Sequence, residues 1–396
     1  MKRTYTGTRI ACYTGYFVQA IINCLSPVLF VIYQTEFSLS YSQLSSLVLI
    51  NFLTQLCVDL LSARYVDRIG HRRAVGLAHI LAVAGLVLLA ILPRLLPNAF
   101  VGLLIPTVIY AFGSGLIEVL ISPIIDSLPS DSKASGMSLL HSFYCWGQLA
   151  VVLLTTLLLW VIGSENWPWL PLLWALVPFV NFFNFLTVPL VPPVPAEEKT
   201  PIRQLLRSGF FVAAMLLMLT TGASEQAMSQ WSSLFAETSL HVSKVMGDLL
   251  GPCMFAVLMG SARLFYGLCG SRLNLRWALL VSAVLCVVSY LLAALSPWPL
   301  LSLIGCALCG LSVGLMWPGV FSLTSARFEK GGTTLFALLA VFGDLGCAFG
   351  PWMTGEMSAL AEAAKGPISG LSFGLLTAII FPILMIGLLL FQRRKD

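Results

Sequence analysis

Long apolar runs broken by short polar stretches dominate the chain. The runs fall at residues 9–34, 42–65, 73–93, 98–125, 134–162, 167–190, 207–236, 242–268, 275–296, 298–324, 333–357 and 367–391. A helix of about 20 predominantly apolar residues crosses the hydrocarbon core of a bilayer. An open sheet edge would leave backbone N–H and C=O groups unsatisfied in lipid, so the runs are predicted to be helices. The pattern predicts an all-α membrane protein with twelve transmembrane helices.

The segment Val191 to Arg207 (VPPVPAEEKTPIRQLLR) separates the sixth and seventh runs. Its prolines and charges mark an exposed linker. The expected organisation is an N-terminal six-helix half (1–190), a linker (191–206) and a C-terminal six-helix half (207–396). The halves share residues in the same order. Ser38, Leu39 and Ser42 match Ser239, Leu240 and Ser243, and Arg68 and Arg72 match Arg272 and Arg276. Gly115 and Pro123 match Gly310 and Pro318, and Trp146, Gly147 and Gln148 match Phe342, Gly343 and Asp344. These pairs lie 195 to 204 residues apart, a near-constant offset that points to two pseudo-symmetric halves.

Composition agrees with lipid as the solvent. The 396 residues are 58% hydrophobic and 10% charged, with a net charge of +5. Soluble domains carry about 25% charged residues. With the N-terminus inside, 19 of the 22 Lys and Arg fall on inner segments, leaving only Arg94, Lys244 and Lys365 outside. The positive-inside rule then makes both termini cytoplasmic. The net charge follows from this bias and is not a nucleic-acid footprint. A bacterial inner membrane is the expected location, and a monomer the expected state. Ten cysteines lie mostly inside apolar runs and read as packing, including the C-x-x-C of Cys306 and Cys309. No P-loop, HExxH, GxSxG or metal-spaced Cys/His set is present, so no enzyme, cofactor, metal or ATP-driven reading follows.

Polar residues inside the runs are the candidates for chemistry. Glu118 sits roughly midway along its run, where a charge costs about 2.5–3.5 kcal/mol on insertion scales and marks a functional site by default. A carboxylate there can take up and release a proton, or accept from a solute hydroxyl. In the seventh run, Glu225, Gln226, Ser229, Gln230 and Trp231 give a broad polar sector that must line a cavity or a helix interface. Asp344, beside Gly343, is a third acid that could bind a cation. Asp59 and Arg263 read as interhelical salt-bridge residues. Tyr144, Trp146, Gln148, Trp231, Gln230 and Trp317 combine rings and amides suited to stacking on sugars. His141 is a possible proton carrier, and Asn23 and Asn51 are plausible cavity polars. Trp160, Trp167, Trp169 and Trp298 sit at run ends and read as interface anchors.

The loop after the second run reads Ala63-x-x-x-Asp67-Arg68-Ile69-Gly70-His71-Arg72-Arg73. It resembles the G-x-x-x-D-[RK]-x-G-x-[RK]-[RK] motif of the major facilitator superfamily, with alanine at the first glycine. The resemblance implies that fold, and a cytoplasmic gate at Asp67, Arg68, Arg72 and Arg73. Two further motifs look like the fucose:proton symporter branch. One is Glu118 to Ser122-Pro123 for E-x-x-x-N-P, and the other is His141 to Gly147 for a Q-S-F-N-x-x-G-like run. That branch has an essential acid in its first span, and Pro27 aligns there, with Asn23 the notable polar residue nearby. The span-four arginine of proton-coupled drug antiporters has no counterpart; Tyr110 and Phe112 occupy its neighbourhood.

The resemblance implies a secondary transporter taking up a sugar or similar solute with a proton or sodium ion. The implied partners are a small-molecule solute, a coupling cation and the lipid bilayer. The expected solute ligands are Asn23, Glu118, His141, Tyr144, Gln148, Glu225, Gln226, Gln230, Trp231 and Trp317. Glu118, Glu225 and Asp344 are the expected coupling acids. Export of amphipathic drugs or metabolites is the competing expectation.

Overall fold

The computed structural model describes residues 5–128, 133–190, 202–269, 274–328, 332–364 and 370–393. Every regular element among them is helical. Two compact units emerge: Met1–Gln43 with Ile50–Val194, and Leu44–Leu49 with Pro195–Asp396.

The first unit is built from α1 (Thr6–Val28), α2 (Phe30–Phe37), α3 (Tyr41–Ile69) apart from its Leu44–Leu49 stretch, α4 (His71–Leu95), α5 (Ala99–Ser127), α6 (Lys133–Ile162) and α7 (Trp169–Thr187). Helix α1 packs on α5, α6 and α7, and α4 packs on α5 and α7. The pair α1 and α2 bends by 44° at Leu29. Pro27 lies two residues before the bend. It lacks an N–H, and its ring crowds the preceding turn, the usual cause of a kink. The turn between α3 and α4 is a single residue, Gly70, at φ +87°. A side chain at that φ would be strained, so the motif glycine has a local geometric reason.

The second unit comprises α8 (Ile202–Leu206), α9 (Gly209–Thr238), α10 (Lys244–Asp248), a π-turn at Leu249–Cys253, α11 (Met254–Cys269), α12 (Leu275–Leu295), α13 (Pro299–Gly314), α14 (Met316–Arg327), α15 (Gly332–Ala363), α16 (Gly370–Ala378) and α17 (Ile380–Arg393). Helix α9 packs on α13, α15, α16 and α17 and is buried almost all round from Phe211 to Ala236. The α9/α15 seam is made by glycines. A Cβ at Gly222 would meet the Gly343 carbonyl, one at Gly346 the Leu219 carbonyl, and one at Gly350 the backbone of Ala223. Small residues let two membrane helices approach this closely.

Among the described residues ten helices are long and apolar enough to cross a membrane, or eleven with the bent pair α1–α2 counted as one span. The expected eleventh span corresponds to α15, a helix of 32 residues.

One tryptophan departs from expectation. Trp160, Trp169 and Trp298 are 74%, 66% and 67% exposed, as interface anchors would be. Trp167 is fully buried, and its indole N–H donates to Glu36 at 2.7 Å. Arg94 bridges the same carboxylate at 2.6 Å. A Trp at a span end has one polar atom, and here a carboxylate satisfies it in place of interfacial water.

Candidate functional site

The first unit holds a ladder of polar side chains inside its helices. Helix α1 carries Tyr16, Gln19, Asn23 and Ser26, spaced three, four and three residues apart on one face. Each meets a partner on α5 or α3. Tyr16 Oη and Ser122 Oγ lie 2.8 Å apart. Gln19 Nε2 donates to Glu118 Oε2 at 2.6 Å. Asn51 Nδ2 and Gln55 Nε2 both donate to Asn23 Oδ1, at 3.0 and 2.9 Å. Ser114 Oγ donates to Gln55 Oε1 at 2.9 Å. Ser26 Oγ reaches Tyr110 Oη at 3.2 Å, and Thr107 Oγ1 lies 3.0 Å from the same hydroxyl. Gln19, Asn23, Asn51, Gln55 and Ser114 are all buried, and Glu118 is half-buried.

Helix α6 adds rings to this ladder. The His141 ring meets Tyr16 edge-on at 5.2 Å. Tyr13 stacks flat on Phe143 at 4.4 Å. Gln148 is buried, Tyr144 is half-buried, and Trp146 is exposed. Glu118 and His141 thus sit on a common framework with Tyr16 and Gln19, neither of which was an expected site residue. Gln55 and Ser114 were also passed over. Their signal was present as polar residues at helical spacing inside apolar runs, in register with Asn23 and Glu118.

In the second unit Glu225 on α9 pairs with Arg263 on α11, Nη2 to Oε2 at 3.1 Å. Side-chain exposures are only 7% and 11%, so this is a buried ion pair. The expected interhelical salt bridge at Arg263 is therefore present, and its partner is one of the expected coupling acids. One turn along α9, Gln230 Nε2 donates to Gln226 Oε1 at 3.0 Å. Trp231 is fully buried, and its indole donates to the Pro351 carbonyl at 2.9 Å. Trp317 is half-buried; its ring lies where a Cβ on Gly343 would sit, and Phe321 meets it edge-on at 6.3 Å. Asp344 is buried in α15 at 5% exposure.

The two acids are served by different chemistry. A glutamine head has both a donor and an acceptor, so by turning over it can bond either an ionised or a protonated carboxyl. A guanidinium has donors only, and a proton on its partner acid leaves it a buried, uncompensated charge. The Gln19 head can follow a change of protonation at its partner acid, and the Arg263 guanidinium cannot.

Of the expected gate residues, the side chains of Asp67 and Arg68 lie outside the described residues. Arg72 donates to the carbonyls of Phe185 and Val188, each at 2.7 Å, and to that of Leu186. It thus caps the C-terminus of α7, where the last carbonyls have no helical partner. Arg73 is exposed. A charged cluster was also passed over in the second unit. Lys244 lies 3.2 Å from Glu237 and 3.0 Å from Asp248, and Ser233 donates to Asp248. It ties the end of α9 to α10.

The family model described as Major Facilitator Superfamily matches residues 12–351. No curated protein matches the chain by sequence. Among solved structures, a bacterial homologue of the human lysosomal transporter Spinster aligns with a TM-score of 0.77 at 15% identity, covering 100% of this chain and 98% of that one. A D-xylose–proton symporter aligns at 0.75 and 16% identity, covering 96% and 97%. The E. coli fucose:proton symporter aligns at 0.68 and 14% identity, covering 98% and 99%. At these identities the likeness concerns the fold.

Proposed function

Because the chain belongs to the Major Facilitator Superfamily, we propose that it is a secondary active transporter working by alternating access of its two six-helix halves, 1–190 and 207–396. The solute is a sugar or a similar polyhydroxylated compound, taken up with a proton, or with sodium. The observation that carries this reading is the Gln19–Glu118 bond within a buried polar ladder. Glu118 takes a proton as solute binds, and Gln19 turns over to follow it. Asn23, His141, Tyr144 and Gln148 of the first half and Gln226, Gln230 and Trp317 of the second are solute contacts. Asp67, Arg68, Arg72 and Arg73 act at the cytoplasmic gate. The xylose and fucose symporters share the fold, which fits this solute class without deciding it.

The test is uptake into proteoliposomes holding purified full-length protein, with an inward proton gradient and labelled D-xylose, L-fucose and D-glucose. Wild type accumulates at least one of these sugars. Glu118→Gln loses accumulation but keeps sugar exchange across the membrane without a gradient. Full gradient-driven, pH-dependent accumulation by Glu118→Gln would end the coupling role.

A second reading, export of amphipathic compounds, draws support from the flat Tyr13–Phe143 stack beside Tyr16 and His141. Broad hypersensitivity of a deletion strain to amphipathic drugs, with no sugar uptake by the purified protein, would favour it.

A further inference from the structure

The amide cluster of the first unit contains one group that its neighbours do not satisfy. Asn51 is 6% exposed. Its Nδ2 gives one N–H to Asn23, and among the described residues its Oδ1 has no hydrogen-bond partner. A buried acceptor left without a donor is costly, and such groups are rare unless they serve a purpose. Because N and O occupy opposite corners of the amide head, turning Nδ2 to Asn23 aims Oδ1 away from that bond.

We propose that Asn51, held by Asn23, Gln55 and Ser114, is a hydroxyl-binding subsite for an uncharged polyhydroxylated solute. The hydrogen bonds within the cluster select this class. A cation would need several carbonyl oxygens, but Asn23 Oδ1 already accepts twice and Gln55 Oε1 accepts from Ser114. An anion would need several N–H donors, but Gln55 Nε2 gives its two to Asn23 Oδ1 and the Asn51 carbonyl, and Asn51 Nδ2 gives one of its two to Asn23. An acceptor and one remaining N–H on a neutral amide suit a hydroxyl, which both donates and accepts. Turning all three amides over together exchanges donors for acceptors and leaves Asn51 an open N–H, which a hydroxyl oxygen meets equally well. The subsite does not depend on how the amides are assigned.

This inference rests on the sugar reading above and deepens it, since the subsite needs no charge and takes no part in coupling. Gln55 and Ser114 act as positioning residues that fix the heads around Asn51.

The experiment measures binding of D-xylose, L-fucose and D-glucose to purified full-length protein by thermal stabilisation over a concentration series. Uptake driven by a proton gradient is measured in parallel. At least one sugar stabilises wild type, and Asn51→Ala binds it about tenfold more weakly, the loss of roughly one hydrogen bond. Asn51→Ser retains a hydroxyl, falls between the two, and substitutes as the test if the alanine variant does not fold. Wild-type affinity in the variant that folds overturns the subsite while leaving the sugar reading intact. Asn51-dependent binding without gradient-driven uptake removes the coupling and keeps the subsite. If none of the three sugars stabilises wild type, the sugar reading and the subsite fall together.

Discussion

Glu118 and Glu225 are both acids inside apolar helices, yet their surroundings differ in kind. Glu118, half-buried, accepts from the neutral amide of Gln19 at 2.6 Å. Glu225, buried to 5% exposure, accepts from the guanidinium of Arg263 at 3.1 Å. A buried acid in a membrane needs a partner, and the partner's chemistry decides whether the acid can change charge. A side chain with both donor and acceptor leaves the proton free to come and go. A fixed cation makes the pair a structural unit.

The strongest way to break this comparison is to remove the cation. Arg263→Met leaves Glu225 without its counter-charge in a buried site, and breaking such a pair by one partner costs about 3–5 kcal/mol. The expected outcome is a large fall in the thermal midpoint of the purified protein. Adding Glu225→Gln to the same chain should recover most of that loss, because no uncompensated charge then remains. If Arg263→Met alone is as stable as wild type, the pair is not the structural unit described here.

Removing the amide is a smaller perturbation. Gln19→Leu deletes a hydrogen bond to a carboxyl while keeping bulk, with an expected loss of about 1–3 kcal/mol. A double-mutant cycle with Glu118→Gln should show coupling between the two positions beyond additivity. Additive effects would mean that the 2.6 Å contact carries no energy, and Glu118 would need another explanation. The same cycle on Arg263 and Glu225 should give the larger coupling.

Much of this architecture was legible because lipid imposes one demand on every span. Apolar runs of sufficient length read directly as helices, and the runs at 73–93 and 275–296 correspond to α4 (His71–Leu95) and α12 (Leu275–Leu295). The run at 333–357 likewise corresponds to α15, whose Gly343, Gly346 and Gly350 pack it on α9. Trp167 was misassigned because a Trp at a span end has the same sequence signature whether lipid headgroups or Glu36 satisfy its indole. Glu118 stood out because a charge in an apolar run is rare. Gln19 did not, although its four-residue spacing to Asn23 placed it on the same helical face. The Glu225–Arg263 pair joins residues 38 apart on different helices, and no local pattern encodes that choice of partner. Arg72 fitted a family motif, and its bonds to the α7 carbonyls could be seen only in three dimensions.

The smallest expected effect sharpens the comparison from the neutral side. Tyr16 and Ser122 share a hydroxyl–hydroxyl bond of 2.8 Å, and Ser122 lies one turn beyond Glu118 on α5. Tyr16→Phe removes one polar atom and leaves the ring against His141 in place. Hydrogen bonds between neutral side chains in membrane helices average about 0.6 kcal/mol, so the thermal midpoint should hardly move. Gradient-driven accumulation should also survive, because the Gln19–Glu118 bond is untouched. If Tyr16→Phe instead abolishes accumulation while leaving sugar exchange intact, the proton reaches Glu118 by way of this hydroxyl. The functional unit would then include the whole Tyr16–Ser122 rung, and the neutral partner that matters would no longer be Gln19 alone.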